Sequence, residues 1–284
     1  MRVQKCCFNV ESGARKACWI LTNNCNLACE HCASSSGMGG SRAHFGPDDH
    51  ACSTALSGCL EIGVRRVVLT GGEPLLVPHL AGIVRRFKDS AIRVSLATNA
   101  TLLGPQKLEE LAVAGVSKFS VGVNVKLLRA SRWSPRSSLN DRVVAALKGM
   151  RSRGIPFDLN LVLLPEVREH IEKIAAWCKE QRPASIHAIV PQRCGRLLLD
   201  YPMGWSGQDI SKMAGDLSEL VWPVEVVLVS PMCRDIDCPS KRLVFGVLSD
   251  GALYDCPWKV HLGLVANRRS FMDTGTPSTR CAVP

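Results

Sequence analysis

The sequence predicts an α/β fold, a partial (β/α)6 barrel followed by a small C-terminal module built around a β-hairpin. Three observations predict it. Short apolar runs alternate with amphipathic segments from Trp19 to about Val190, the order of a parallel sheet covered by helices. The runs number six, short of the eight that close a full barrel. A further apolar run, LVFGVL, is followed by a turn at Ser249 to Gly251 and then ALYDC, the pattern of a hairpin.

In chain order the strands are expected at Cys18 to Thr22, Arg66 to Thr70, Arg93 to Thr98, Lys118 to Asn124, Phe157 to Leu164 and Ser185 to Val190. Helices are expected between them at Asp48 to Ile62, Leu80 to Lys88, Gln106 to Ala114, Asn140 to Arg153 and Val167 to Gln181. The organisation read from this pattern is an N-terminal extension (1–17), the barrel (18–191), a less regular bridge (192–223) and a cysteine-bearing module (224–284).

Hydrophobic residues at 46% and charged residues at 21% fit a compact globular body. No stretch approaches the roughly 18 apolar residues of a membrane span, and no signal core precedes the first charges, so no membrane association and a cytoplasmic location are expected. A net charge of +10 favours anionic partners. Aromatics are only 5% and do not interleave with basic residues, which disfavours nucleic acid. Fourteen cysteines in a reducing compartment point to metal ligands, reactive thiols or core residues rather than disulfides.

The segment LTNNCNLACEHCASSSG sets Cys25, Cys29 and Cys32 at C-x3-C-x2-C directly after the first expected strand. Ligand sites of parallel α/β sheets lie in the loops beyond the strand carboxyl ends, so three thiolates here can meet one metal centre. Iron–sulfur clusters usually take four Cys ligands, and three leave one iron open. The alternatives are a zinc site, which usually shows paired Cys/His spacings, or three unrelated thiols. Gly71, Gly72 and Glu73 follow the second strand in LTGGEP, where two glycines permit close backbone approach and Glu73 offers an acceptor; a plain tight turn is the competing reading. Thr98 and Asn99 follow the third strand, and Ser120 and Asn124 lie on the fourth.

These motifs, in this order from about Lys16 to Val190, resemble the radical S-adenosylmethionine (SAM) superfamily. The resemblance implies a [4Fe-4S] cluster on Cys25, Cys29 and Cys32 whose open iron takes the amino and carboxylate groups of SAM, with His31 in a commonly aromatic slot over the cofactor. It further implies that Gly71, Gly72, Glu73, Thr98, Asn99, Ser120 and Asn124 bind SAM, and that reductive cleavage yields a 5′-deoxyadenosyl radical that takes a hydrogen atom from substrate. An electron donor such as flavodoxin or ferredoxin is then a partner. No Ser/His/Asp arrangement is evident, and the seven histidines are scattered.

Cys238, Gly251 and Cys256 resemble the opening of the SPASM and twitch domains that carry auxiliary clusters. Only Cys281 follows Cys256, so the shorter, twitch-like form with one auxiliary cluster, [4Fe-4S] in type, is expected on Cys233, Cys238, Cys256 and Cys281, with Cys194 able to replace either outer ligand. Ordinary buried thiols are the alternative, and a buried core role is expected for Cys52, Cys59 and Cys178. The expected function is redox tailoring (oxidation, cross-linking or epimerisation) of a ribosomally made peptide. Dehydrogenation of a sugar or aminocyclitol antibiotic intermediate is the alternative, and a non-catalytic iron–sulfur or zinc protein is the alternative of another class. About 17 residues before the first strand are too few for a peptide-binding domain, so a separate peptide-recognition protein is a possible partner.

Overall fold

The computed structural model describes residues 2–4, 14–37, 46–123, 138–191, 195–196, 206–229 and 243–254. Six parallel strands form where the apolar runs fall: β2 (Arg15–Ile20), β3 (Val64–Thr70), β4 (Arg93–Thr98), β5 (Val116–Val123), β6 (Phe157–Val162) and β7 (Ser185–Ile189). The helices α1 (Asp49–Glu61), α2 (Leu80–Asp89), α3 (Pro105–Ala114) and α4 (Ser138–Ser152) separate them as expected. The segment expected as one helix from Val167 divides into α5 (Pro165–Glu169) and α6 (Ile171–Glu180). Pro165 starts the first turn, and His170, at φ −130°, breaks the run between the two.

Residues 206–229, expected to be largely irregular, hold one more helix and strand. Helix α7 (Gly207–Leu220) opens on a reciprocal cap: Ser206 Oγ accepts from Asp209 N–H while the Asp209 carboxylate accepts from Ser206 N–H. The strand after it, β8 (Glu225–Val229), pairs in parallel with β7, and β1 (Arg2–Gln4) pairs in parallel with β8. At the opposite edge β9 (Val244–Val247) lies parallel to β2 and turns back antiparallel as β10 (Leu253–Tyr254). The sheet order is β1-β8-β7-β6-β5-β4-β3-β2-β9-β10, a mostly parallel open sheet. The hairpin therefore forms where the sequence places it, and it continues the barrel sheet.

Alternation along each strand divides the sheet into two faces. Phe119, Val121, Leu159, Leu161, Ile186 and Ala188 point into the main core that the helices cover. Trp19 belongs to that core: it is fully buried, tilts against Phe87 at 5.5 Å between centroids, and donates its indole N–H to the Leu248 carbonyl at 2.7 Å. This bond ties the hairpin turn to β2. Cys52, Cys59 and Cys178 also pack in this core, and burial pushes the thiols of Cys59 and Cys178 up to about 12. The opposite face is more polar, carrying Lys118 and Ser120 on β5, Asp158 and Asn160 on β6, and Ser185 and His187 on β7.

Candidate active site

The carboxyl ends of β2, β3 and β4 lie side by side and bring three expected motifs together. Beyond β2, Leu21 donates its N–H to Thr70 O at 2.9 Å, so the two strands stay in register as their loops begin. Gly72 N–H then reaches Thr22 O at 2.7 Å and Glu73 N–H reaches Asn24 O at 2.8 Å. A Cβ on Gly71 would strike the Thr22 carbonyl, and one on Gly72 the Asn24 carbonyl. Gly71 also adopts φ +146°, which disfavours any side chain. The two glycines thus let the turn lie directly on the backbone that leads into Cys25.

Glu73 is fully buried and its carboxylate spans to β4. Oε1 accepts from Thr98 Oγ1 at 2.7 Å and Leu75 N–H at 3.0 Å, and Oε2 accepts from Asn99 N–H at 2.8 Å. Burial raises its pKa, and the hydrogen bonds from Asn99, Thr98 and Leu75 oppose that rise. Asn99, held by Glu73, passes the connection to the cysteine loop: its amide donates to Asn26 Oδ1 at 3.0 Å and toward Cys25 Sγ at 3.8 Å. Asn26 in turn donates to Thr101 Oγ1 at 2.8 Å. Asn26 and Thr101 were not singled out in the sequence, although both lie beside the motifs in NCNLAC and TNAT.

The three thiols occupy one loop. Cys25 is buried, with Sγ accepting from Leu27 N–H at 3.4 Å, whereas Cys29 and Cys32 are half-buried. Burial raises the Cys25 pKa most, and Glu73, Cys29 and Cys32 add to it by like-charge repulsion, so all three thiols share one electrostatic neighbourhood. Among the described residues no three His, Cys, Asp or Glu side chains are drawn into a closed metal-binding group. The donor set fits an iron–sulfur cluster: three thiols on one loop beside a polar, hydrogen-bonded floor of Glu73, Thr98 and Asn99.

Ser120 lies further along the polar face of the sheet, donating to Asn160 Oδ1 at 3.1 Å. Asn124, Cys194, Cys233, Cys238, Cys256 and Cys281 lie outside the described residues. Below Ser120 a second polar group escaped the sequence reading. Asp158, almost fully buried, pairs with Lys118 Nζ at 2.6 Å, accepts from Ser185 Oγ at 2.8 Å and lies 3.8 Å from His187 Nε2. Burial lowers the His187 pKa; Asp158 opposes this, Lys118 reinforces it, Glu225 opposes it and Lys16 reinforces it. No sequence spacing links Lys118, Asp158, Ser185 and His187, because the contact arises only when three strands pair.

Residues 19–178, more than half of the chain, match the model of the radical SAM superfamily. The chain belongs to the radical SAM superfamily. Membership in this family implies a SAM-site [4Fe-4S] cluster, SAM itself and a source of electrons. The radical SAM chain is 33% identical over 187 residues to a Methanosarcina barkeri protein named AdoMet-dependent heme synthase, covering 64% of this chain and 52% of that one. It is 32% identical over 164 residues to a Halobacterium salinarum probable GTP 3′,8-cyclase, covering 53% of this chain and 45% of that protein. It thus spans about half the length of these two relatives. In fold it is similar to Streptococcus suis SuiB bound to S-adenosylmethionine, at TM-score 0.71 and 15% identity, over 92% of this chain and 64% of SuiB.

Proposed function

We propose that this chain is a catalytic, oxidoreductase-type radical SAM enzyme that modifies an acidic, ribosomally made peptide. The observation that carries the catalytic reading is the continuous connection from the glycine turn through Glu73, Thr98 and Asn99 to Cys25. A site that only stored a cluster would not need it. When bound, the cluster supplies the electron that cleaves SAM to methionine and a 5′-deoxyadenosyl radical.

The chain's own residues do the remaining work. Cys25, Cys29 and Cys32 would hold the cluster. Gly71, Gly72, Glu73, Thr98 and Asn99 would bind SAM beside it, with the Glu73 carboxylate holding Thr98 and Asn99 in place. Ser120 shares the polar face of the sheet with Asn160 and His187, where it can meet SAM and where a substrate can lie; Asn124 would add a further SAM contact. The net charge of +10 supports an acidic peptide. A SuiB structure, similar at TM-score 0.69 and 15% identity, holds the precursor peptide SuiA and supports room for such a substrate on this fold.

A small anionic substrate is the second reading, favoured by the names of the relatives, one of which specifies GTP. The deciding experiment offers the enzyme, SAM and reductant the peptides encoded by neighbouring genes, their sugar intermediates, and GTP. Conversion of a peptide with matching 5′-deoxyadenosine supports the first reading. Conversion of GTP or a sugar alone contradicts it. The proposal also includes flavodoxin or ferredoxin as donor and one auxiliary cluster on Cys233, Cys238, Cys256 and Cys281, supported by a hairpin whose second strand ends at Tyr254, just before Cys256.

A further inference from the structure

The cysteine loop is gripped by two residues outside every motif singled out in the sequence. Arg196, beyond β7, donates from Nε to the Cys29 carbonyl at 2.7 Å, from its backbone N–H to the Cys32 carbonyl at 3.1 Å, and from Nη2 to the Ser36 carbonyl. Gly195 sits at φ +58°, and a Cβ there would strike the carbonyl oxygens of Cys32 and Ala33. The loop's own backbone bonds include Cys32 N–H to Cys29 O and Ser35 N–H to Cys32 O, each at 3.2 Å, and a longer one from Cys25 N–H to Gly37 O at 3.4 Å. One residue about 160 positions away in sequence therefore holds the carbonyls of two of the three cysteines and the end of their loop.

We propose that Arg196 is a positioning residue for the iron–sulfur cluster, fixing the ligand loop and setting a permanent positive charge against it, with Gly195 permitting the approach. The inference rests on the reading of this loop as the cluster holder. The guanidinium fork serves two carbonyls at once, which a lysine ammonium does not reproduce. Reduction adds a negative charge to the cluster, so a fixed cation beside the loop favours the reduced form and raises its potential. Retention of the cluster and ease of reducing it are thereby set by the same side chain.

The test uses the full chain as wild type, Arg196→Gln, Arg196→Lys and Gly195→Ala. In apo protein, hydrogen exchange across residues 25–37 should speed up in Arg196→Gln and Gly195→Ala; unchanged exchange overturns the clamp with no cluster needed. After anaerobic reconstitution, both variants should release iron to a chelator roughly tenfold faster, the consequence of losing charge-assisted bonds. The cluster whose EPR signal responds to SAM should show a more negative midpoint potential in Arg196→Gln and a value near wild type in Arg196→Lys. Faster iron release with no change of potential in Arg196→Gln overturns the electrostatic role. SAM cleavage by the wild-type chain is measured separately, so failure of the site assignment is distinguished from failure of this inference.

Discussion

Glu73 shows how a short motif can be legible while its role is not. The spacing of Gly71, Gly72 and Glu73 behind the cysteine triplet marks the segment, but only the fold shows that the glycines rest on Thr22 and Asn24 and that Glu73 braces Thr98, Asn99 and Leu75. Replacing Glu73 with Gln exchanges one acceptor oxygen for a donor, which leaves at least one of these groups without its acceptor. Urea unfolding should show a loss of about 1–3 kcal/mol, together with weaker SAM binding. His187 carries the opposite kind of lesson, since no motif marks it and pairing of β5, β6 and β7 creates its setting. Its pKa lies below the usual histidine value, chiefly through burial. The unfolded chain then binds the extra proton first, so the stabilising contribution is complete above about pH 6.5 and declines as pH falls below it. Glu73, with its raised pKa, works the other way: its contribution declines as pH rises above 4.5. The comparison of wild type with His187→Gln isolates the histidine. Between about pH 5 and 7 the variant should lose part of the rise in stability with pH, and identical slopes would refute the assignment.

At the scale of elements, the six central strands were readable because a parallel sheet covered by helices needs short, nearly continuous apolar runs. Strand β8 was not, for its run EVVLV follows a segment that looked irregular, and the Ser206–Asp209 cap that starts α7 was overlooked. Nothing local to the hairpin shows that β9 lies beside β2, since parallel pairing joins residues more than 200 positions apart. Trp19 is the test of that junction. Trp19→Phe keeps a ring against Phe87 but removes the bond to Leu248 O and part of the indole volume, and should cost about 1–3 kcal/mol in denaturant unfolding. Exchange protection should fall in residues 244–254 ahead of the barrel strands. Uniform loss of protection would show that the hairpin and barrel open as one unit through contacts other than Trp19.

For the whole molecule, the proposed arrangement is a barrel cluster plus one auxiliary cluster, served by a basic surface. The wild-type chain should then hold about eight irons, and a triple variant with Ala at Cys25, Cys29 and Cys32 about four. An iron-free triple variant would remove the auxiliary cluster from the account. Peptide turnover should slow as salt rises, because a net charge of +10 speeds encounter with an acidic partner only while the field is unscreened. The central claim is catalytic: the loop of Cys25, Cys29 and Cys32, braced by Glu73 and Asn99, supports reductive SAM cleavage. Its most direct test is formation of 5′-deoxyadenosine from SAM and reductant by anaerobically reconstituted protein, compared with Cys29→Ala. The account predicts 5′-deoxyadenosine and methionine in equal amounts from the wild type and none above background from the variant. Equal rates from both proteins would contradict it.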